Sequence, residues 1–562
     1  SPMTRLRYSS GVKFIGHICV NHTGQIGRSS QLFPMSFASS PSHRAPVIVV
    51  GAGIGGLAAA LRLAAAGRCV TVLDSAPAPG GKIRQVPTAA GGAETGPTVL
   101  TMRAVFDDLF AAAGARLADH VTLHRQSILA RHWWPGSGPL DLHDDPGRTE
   151  AAIRAFAGPR AASQFAAFHD RARRLYDGFR APVIDAPEPS LAALTRTVAT
   201  RPALLRAMAP GRTLDGLLRG FSDPRLRQLF GRYATYVGGS PYRAPALLAL
   251  IWEAEAAGVW AVEGGMTALA AAIARQIESQ GGRLRMNAPV ARILTDSSGV
   301  TGVALADGEI LAASDVVFNG DPRALALGLL GHESRQAAPQ AARAPRSLSA
   351  HVWAFAATPR GPGLAHHNVF FCRDPRADFA ALERGGVPSD TTLYVCAQDR
   401  GMGRPPPAVE RFEIILNAPP LTARAPDPKE FEQCHTRTFP TLRRFGLHFE
   451  DEPSRHALMT PAGFDARFPG SAGSLYGQSP HGMTAALQRP TARTPIPGLT
   501  LCGGGCHPGA GVPMAAISGR HAAEAILTGR TSTSPSRPTG MPGGTWTRFP
   551  KAATGRFRSS GS

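Results

Sequence analysis

The chain has 562 residues, a hydrophobic share of 43%, a charged share of 18% and a formal net charge of +20 at pH 7. This composition is too apolar for a disordered chain, and the length predicts about two to four domains or one large enzyme fold. No apolar run resembles the roughly 20 residues of a membrane helix, which argues against an integral membrane protein. The seven cysteines are too sparse for a disulfide scaffold, so we expect a reducing compartment.

The two ends of the chain carry much of the positive charge. Residues 1–44 contain five basic residues and residues 530–562 contain six, and neither segment contains an acid. We expect a disordered N-terminal extension and a disordered basic tail, whose charge is either solvated or attracted to an anionic membrane. Because no nucleic-acid-binding motif accompanies this charge, we predict no nucleic acid partner. Whether residues 1–34 belong to the working protein stays open, since an organelle leader and a start at Met35 both fit.

A dinucleotide-binding pattern follows the N-terminal extension. Residues 47–50 are a short β-branched run typical of a buried parallel strand, and residues 57–66 are rich in Ala and Leu, as in a helix. Between them lies the glycine-rich turn 51–56, and a second apolar strand, 69–73, ends at Asp74. This order of strand, turn, helix, strand and acid predicts a Rossmann-type site.

Four residues of this pattern have predictable physical roles. Gly51 permits the tight turn, Gly53 lets the backbone approach a diphosphate, and Gly56 lets the helix pack closely on the strand. The free N–H groups at the start of the helix face the phosphates in such sites. Asp74 is placed to accept hydrogen bonds from ribose hydroxyls, which disfavours the 2′-phosphate of NADP.

A second glycine-rich stretch favours FAD over NAD. It comprises residues 78–82 and 92–98, which follow the acidic residue, and a simple NAD dehydrogenase does not need it. In flavoproteins with two dinucleotide-binding domains, such a segment continues along the FAD. The sequence has no second G-x-G-x-x-G, which argues against a pyridine nucleotide as the stoichiometric reductant. FAD is therefore the predicted cofactor.

Three further segments carry a resemblance to a known family. They are residues 287–293 (NAPVARI), 315–322 (DVVFNGDP) and 497–513 (PGLTLCGGGCHPGAGVP). On these motifs the chain resembles, over about residues 46–527, the bacterial-type carotenoid desaturase (phytoene dehydrogenase) family of the amine-oxidase-like flavoproteins. Within that family, the less specific segments 258–266 and 511–520 resemble the 1-hydroxycarotenoid 3,4-desaturase type, also called methoxyneurosporene dehydrogenase.

The resemblance implies an α/β fold. A Rossmann-like FAD-binding domain, discontinuous in sequence, would carry an inserted α+β substrate domain, as in the amine-oxidase-like architecture. The expected boundaries are 1–44 for the extension, 45–150, 263–330 and 491–529 for the FAD-binding domain, 151–262 for a helical substrate and membrane region, 331–490 for the substrate domain and 530–562 for the tail.

The family's motifs also imply which residues contact FAD. These are Gly51, Gly53, Gly55, Gly56, Asp74, Gly81, Lys82, Gly96, Thr98, Val290, Gly503, Gly504, Val512 and Met514. The family usually has Glu in place of Asp74 and Arg in place of Lys82, so this chain has a shorter carboxylate and a point charge instead of a guanidinium fork. We predict no metal site, because Cys502, Cys506 and His507 have no second cluster at a metal-binding spacing.

The resemblance implies an oxidoreductase acting on CH–CH groups in carotenoid biosynthesis. It would introduce a C3,4 double bond into acyclic 1-hydroxy or 1-methoxy carotenoids by hydride transfer to flavin N5, with phytoene desaturation to neurosporene or lycopene as the alternative. The apolar residues 247–252 and 259–260 are expected to line the substrate tunnel. The alternative is that they only pack in the hydrophobic core. Three acids could act as a general base: Glu253, Glu255 and Glu263. His507, beside the helix that meets the flavin, is a further catalytic candidate, with a structural role as its alternative.

The expected partners are a long apolar carotenoid, a membrane surface, and oxygen or a quinone as electron acceptor. We expect a cytoplasmic protein attached peripherally to the inner membrane through an apolar helical patch and basic residues. Isomerase and ketolase relatives, a carotenoid carrier without turnover and a basic nucleic-acid-binding protein remain as alternatives.

Overall fold

The computed structural model describes residues 46–421 and 428–529. The predicted extension and basic tail therefore lie outside the described residues. The strands are β1 Val47–Val50, β2 Val70–Leu73, β3 Arg84–Thr88, β4 Gly91–Thr95, β5 Leu123–Arg125, β6 Ile128–Trp133, β7 Leu140–His143, β8 Trp260–Val262, β9 Arg283–Arg285, β10 Val290–Asp296, β11 Gly299–Leu305, β12 Ile310–Ala312, β13 Asp315–Phe318, β14 Ser349–Ala357, β15 Pro359–Arg360, β16 His367–Phe370, β17 Leu393–Ala397, β18 Glu410–Ala418, β19 His448–Phe449, β20 Leu458–Met459 and β21 Leu499–Leu501.

The helices connect these strands and cover their faces. They are α1 Ile54–Ala65, α2 Ala104–Ala111, α3 Pro146–Ala157, α4 Pro159–Phe179, α5 Leu191–Ala199, α6 Pro202–Met208, α7 Leu214–Leu218, α8 Pro224–Gly231, α9 Leu250–Ala256, α10 Met266–Ser279, α11 Pro322–Ala326, α12 Pro375–Glu383, α13 Glu430–Arg444, α14 Pro461–Arg467 and α15 Val512–Leu527. In the described part of the chain, no helix has both the length and the apolar character of a membrane span.

A parallel sheet collects strands from distant parts of the chain. Its order is β21-β13-β1-β2-β9, and in its centre Val49 lies opposite both Val72 and Val317. The central strands are short and mostly apolar because both faces are covered, one by α1, α10 and α15 and the other by β10, β11 and α11. The predicted strands and the predicted helix after the glycine turn are present, although the helix already begins at Ile54. This sheet confirms the predicted Rossmann-like α/β fold.

Helix α1 lies in the centre of the parallel-sheet half of the molecule. Leu57 and Leu61 are fully buried. The helix crosses α15 at close range because Gly519 has no side chain: a Cβ there would lie 2.2 Å from the carbonyl oxygen of Gly55. The N-terminus of α1 is thereby fixed beside the turn that joins it to β1.

Between the segments 287–293 and 315–322 the chain folds back on itself. Strands β10, β11 and β12 form a small antiparallel sheet in that order. The chain then returns through β13, which pairs in parallel with β1. This return brings the end of β13 next to the glycine-rich turn.

A second, mixed sheet has one core-facing and one cavity-facing side. Its order is β20-β14-β18-β17-β16-β6-β7. On one side, Trp353, Phe370 and Phe412 pack with Phe439 and Leu442 of α13. Strands β6 and β7 belong to the segment 45–150, which the sequence assigned to the FAD-binding domain. We therefore propose that the substrate domain includes these two strands as well as residues 331–490.

The opposite side of the mixed sheet carries one continuous row of side chains. Val352, Ile415, Tyr394 and Val369 lie opposite one another across β14, β18, β17 and β16. All four line the same cavity. Helices α4, α8 and α9 close the cavity from the other direction, with their own aromatic core around Trp252.

Candidate active site

A cavity of about 1290 Å³ lies between the parallel sheet and the mixed sheet. Sites for small molecules typically measure about 300–1,000 Å³, so this cavity has room for a dinucleotide and part of a long second ligand. The glycine-rich loops after β1 and β21 and the turn after β13 line one part. The apolar face of the mixed sheet and three helices line the other part.

The predicted cofactor residues converge on this cavity, with one exception. Those that line it are Gly51, Gly53, Gly55, Asp74, Gly81, Lys82, Gly96, Thr98, Val290, Gly503, Gly504, Val512 and Met514. Gly56 is not among the lining residues. A Cβ at Gly56 would lie 2.1 Å from the carbonyl oxygen of Gly51, so this glycine permits the close packing of α1 on the preceding turn.

Asn319 holds the two glycine-rich loops together, and the sequence analysis did not single it out. It follows β13, and its Nδ2 donates a hydrogen bond to the carbonyl oxygen of Gly51 at 3.1 Å. A Cβ at Gly55 would lie 2.6 Å from Asn319 Oδ1 and 2.8 Å from the amide nitrogen of Gly503. Glycine at position 55 is therefore required by protein packing as well as by any bound phosphate.

Asp74 is held by the backbone at the end of β2. Its Oδ2 accepts from the amide of Ala52 at 2.6 Å, and its Oδ1 accepts from the amide of Ala76 at 2.8 Å. Each carboxylate oxygen keeps a further lone pair for a ribose hydroxyl. The carboxylate is thus oriented by the protein before a ligand arrives.

Basic residues that line the cavity include Lys82, Arg84, Arg467 and Arg489. The ammonium group of Lys82 donates to the carbonyl oxygen of Leu475 at 2.6 Å, and burial lowers its pKa to about 8. The sequence analysis identified Lys82 only, because arginine is so common in this chain that single arginines carry little signal. A diphosphate would supply the anionic partner for such a group of cations.

The residues present fit FAD. Helices α1 and α15 begin at the cavity, and their N-cap residues Gly53 and Gly511 contribute no capping side chain. Their first N–H groups therefore have no side-chain partner and can face anionic or carbonyl oxygens. With FAD bound, these helix ends and Lys82 would supply donors for phosphate and flavin oxygens, and Asp74 would supply an acceptor for ribose.

Only some of the residues predicted to line the substrate tunnel do so. Leu247, Leu248, Leu250 and Ile251 line the cavity. Trp252 is fully buried in the helical core instead, as are Ala249 and Val259. The helical period explains the split on α9, since successive residues are rotated by about 100°, so that Leu250 and Ile251 face the cavity while Trp252 turns into the core.

A polar network connects the cavity to the interior of the mixed sheet. The Tyr394 hydroxyl lies 2.9 Å from Thr98 Oγ1 and 2.7 Å from His367 Nδ1. Burial lowers the pKa of His367 well below its ordinary value. Burial also raises the pKa of Glu413, which lies behind Thr98, well above its ordinary value. Both shifts favour the uncharged forms of the imidazole and the carboxyl group, which suits a site for a hydrocarbon.

Of the three acids considered as bases, Glu255 alone lines the cavity in the described part of the chain. Glu253 lies on α9 beside His169, and Glu263 is exposed and pairs with His124. His507 is not among the lining residues. Its Nε2 donates to the carbonyl oxygen of Ala186 at 2.9 Å, so the ring is held outside the cavity lining and we do not propose it for proton transfer.

The sheet topology, the glycine-lined helix ends and Asp74 define a Rossmann-type flavoprotein. The chain belongs to the family of flavin containing amine oxidoreductases, whose family model matches residues 54–527. It is an FAD-dependent oxidoreductase, and the cofactor predicted from the sequence is confirmed.

Relatives of known function narrow the family further. The chain is 56% identical to hydroxyneurosporene desaturase of Cereibacter sphaeroides over 489 residues, which cover 87% of this chain and 98% of the relative. It is 45% identical to hydroxyneurosporene desaturase of Rubrivivax gelatinosus, covering 92% and 98% of the two chains. A lycopene-forming phytoene desaturase of a Paracoccus strain is 30% identical, covering 87% and 99%. The resemblance to the carotenoid desaturases is thus confirmed.

Solved structures support the fold. An oxidoreductase from Methanosarcina mazei superposes with a TM-score of 0.53 at 16% identity, covering 86% of this chain and 100% of that one. Cyclohexylamine oxidase from Brevibacterium oxydans gives a TM-score of 0.51 at 19% identity, covering 86% and 99%. At this level of identity the likeness concerns the architecture alone.

Proposed function

We propose that this chain is a carotenoid 3,4-desaturase that acts on acyclic 1-hydroxy or 1-methoxy carotenoids of the hydroxyneurosporene type. The observation that carries the proposal is the continuity of one cavity from the glycine-lined helix ends to an apolar sheet face and helix wall. A long polyene can then lie in the apolar part with one end at the flavin. The hydroxyneurosporene desaturases that match nearly the whole chain support this substrate class.

The reaction removes a hydride and a proton from adjacent carbons. When bound, FAD supplies the oxidising chemistry, because its N5 accepts a hydride. The residues of this chain bind the polyene, exclude water and aim one C–C bond. Val352, Ile415 and Val369 from the mixed sheet and Leu248 and Ile251 from the helices provide apolar surface for this.

The proton needs only a weak acceptor, because the allylic C–H becomes acidic as the hydride leaves. The Tyr394 hydroxyl faces the cavity, with the uncharged His367 hydrogen-bonded behind it. A positioned hydroxyl with such a partner can take and pass on a proton. We propose this pair as the proton path.

Product analysis tests the substrate assignment. The FAD-loaded protein in liposomes would receive 1-hydroxyneurosporene or phytoene, and the pigments would be separated by chromatography with absorption spectra. Each added conjugated double bond shifts the absorption to the red, so we expect a red-shifted product from 1-hydroxyneurosporene only. Coloured product from phytoene alone would favour a phytoene desaturase instead.

Peripheral membrane attachment is part of the proposal. Leu191 on α5 and Leu205 on α6 are 69% and 46% exposed. No acid occurs between Glu188 and Asp215, whereas several arginines do. An apolar face edged by arginines suits an anionic bilayer, from which the substrate would enter.

Liposome pelleting tests this attachment. The double substitution L191D/L205D should reduce sedimentation with anionic liposomes, while I310D, at a site that is 68% exposed on β12, should not. Equal loss in both variants would contradict the assignment of this face.

Oxygen or a membrane quinone is the electron acceptor that we propose, and reoxidation rates with and without quinone would distinguish the two.

A further inference from the structure

A cluster of three polar residues faces the apolar part of the cavity. Arg232 and Tyr236 lie on the 3₁₀ segment Arg232–Val237, Glu255 lies on α9, and all three line the cavity. The Tyr236 hydroxyl donates to one Glu255 oxygen, and Arg232 Nη1 donates to the Tyr236 hydroxyl at 3.3 Å. The other Glu255 oxygen accepts from Tyr233 at 2.8 Å.

The hydrogen bonding of Arg232 is incomplete. A guanidinium carries five N–H donors, and within the described residues neither Nε nor Nη2 of Arg232 has a hydrogen-bond partner. Polar groups beside an apolar cavity cost free energy unless they are paired. The Arg232 guanidinium packs on the rings of Tyr233 and Tyr236, but these contacts do not satisfy its N–H donors. Nε and Nη2 are closed off from the cavity, but Nη1 gives only one of its two N–H groups to Tyr236, so a ligand oxygen in the cavity can accept from the other.

The cluster lies where the apolar part of the cavity meets the glycine-rich loop after β21. Gly238, directly after the 3₁₀ segment, packs against Tyr476, because a Cβ at Gly238 would lie 2.4 Å from a ring carbon of Tyr476. The next residue, Gly477, packs on that loop, because a Cβ at Gly477 would lie 2.9 Å from Gly505 Cα. The polar cluster and the reacting bond therefore belong to the same end of the site.

The substrate geometry matches this position. In a 1-hydroxy carotenoid the oxygen is attached to C1, and the bond to be oxidised is C3–C4. Each C–C bond spans about 1.5 Å, so the oxygen lies within about 5 Å of both reacting carbons. A group that binds this oxygen must therefore lie close to the flavin.

We propose that Arg232, Tyr236 and Glu255 bind the C1 oxygen of the carotenoid and thereby place the C3–C4 bond at the flavin, an inference that rests on the proposed function. Arg232 donates a hydrogen bond to the C1 oxygen, and the Glu255 carboxylate accepts a hydrogen bond from the hydroxyl group. A methoxy oxygen accepts but cannot donate, so it uses Arg232 alone. A carotenoid without the oxygen leaves Arg232 and Glu255 without a ligand partner, and its C3–C4 bond is not fixed at the flavin.

The wild-type protein provides the first test. The FAD-loaded full chain in liposomes would be given 1-hydroxyneurosporene, 1-methoxyneurosporene and neurosporene. We expect kcat/KM for C3,4 desaturation to be about 10- to 100-fold lower with neurosporene, the range expected for a lost hydrogen bond to a charged group. Equal rates on all three substrates would overturn the inference without any variant.

Substitutions provide the second test. Arg232→Met should lower kcat/KM about 10- to 100-fold for both oxygenated substrates, and Glu255→Gln should do so for the hydroxy substrate only. Neurosporene should react within about threefold of wild type in both variants. Tyr233→Phe is the matched control, because it removes the other hydrogen bond to Glu255 from a residue that does not line the cavity. It should leave the substrate ratios unchanged.

Melting temperature and FAD content separate selectivity from folding. Tyr236→Phe keeps the ring and is the variant to use if Arg232→Met loses FAD; we expect it to lower the preference for the hydroxy substrate by about tenfold. Equal loss of activity on all substrates with FAD retained would show a structural role. That result would overturn this inference and leave the proposed function intact. Activity of the wild type on phytoene only would instead overturn the proposed function, and this inference with it.

Discussion

The two ends of the cavity recognise their ligands by different means. The FAD end is lined mainly by backbone: glycines of two loops, two helix ends and few side chains beyond Asp74 and Lys82. The substrate end is lined by side chains from a sheet face and from helices. A site made of backbone depends on the close approach of main-chain segments, so one substitution that separates them removes all of its contacts together. A side-chain site can be altered residue by residue, which lets one fold serve different substrates.

The largest effect is expected from adding one methyl group at the FAD end. In Gly56→Ala the Cβ would lie 2.1 Å from the carbonyl oxygen of Gly51, so α1 must move away from the turn. We expect loss of bound FAD and destabilisation of about 3 kcal/mol, measured by flavin absorption and thermal unfolding. Gly138→Ala, where a Cβ meets no atom within 4 Å, is the control and should behave as wild type. Full FAD content in Gly56→Ala would contradict the account.

Asp74→Ala removes the acceptor at the end of β2. The variant loses two backbone hydrogen bonds and, in our account, the ribose contact, so the Kd for FAD should rise about 100- to 1,000-fold. Titration of the apo-protein with FAD measures this. Asp74→Glu keeps the charge and should stay within about tenfold of wild type. Similar Kd values for the two variants would show that the carboxylate does not contact the ligand.

Tyr394→Phe removes the hydroxyl at the substrate end. We expect kcat to fall about 100-fold with FAD content unchanged, because the proton loses its acceptor while the backbone cradle stays intact. Single-turnover measurements in the absence of oxygen isolate this step. Unchanged kcat would exclude the Tyr394–His367 pair as the proton path.

Lys82 should give FAD binding a pH dependence. Its pKa is about 8 because of burial, and an anionic ligand would raise that pKa, so binding takes up a proton above about pH 8 and weakens as the pH rises further. Lys82→Arg should remove this dependence and keep the affinity, since arginine stays charged. Lys82→Met should bind about tenfold more weakly at neutral pH. A pH-independent Kd in the wild type would contradict a phosphate contact.

Asp378, at the substrate end, should affect stability without affecting FAD. Burial raises its pKa to about 6. The folded state then binds the proton more tightly than the unfolded state, so stability is lost as the pH rises from about 4 to about 6, by up to about 3 kcal/mol. Asp378→Asn should flatten the unfolding free energy over this range. The same pH profile in both proteins would show that Asp378 ionises normally.

The sequence predicted the FAD end far better than the substrate end. The strand, turn, helix and acid of residues 47–74 are consecutive, and their glycines have steric reasons that local sequence reveals. The roles of β13 and β21 came only through the resemblance, because their pairing with β1 spans hundreds of residues. Asn319 was within a quoted motif, yet its contact with Gly51 depends on that distant pairing.

The substrate end depends on pairings that no local pattern reveals. Glu253 and Glu255 are two residues apart and looked equivalent, but only Glu255 turns toward the cavity. Arg232 was one of many arginines until the fold placed it beside Tyr236 and Glu255. The row Val352, Ile415, Tyr394 and Val369 exists only once four strands are in register.

The central claim is that the backbone cradle and the side-chain cavity form one reaction site. The most direct test mixes the FAD-loaded protein with 1-hydroxyneurosporene in the absence of oxygen and follows the flavin and polyene spectra together. We predict that the oxidised flavin absorption bleaches in proportion to a red-shifted polyene product. A bound carotenoid that leaves both spectra unchanged would contradict the account and identify a carrier.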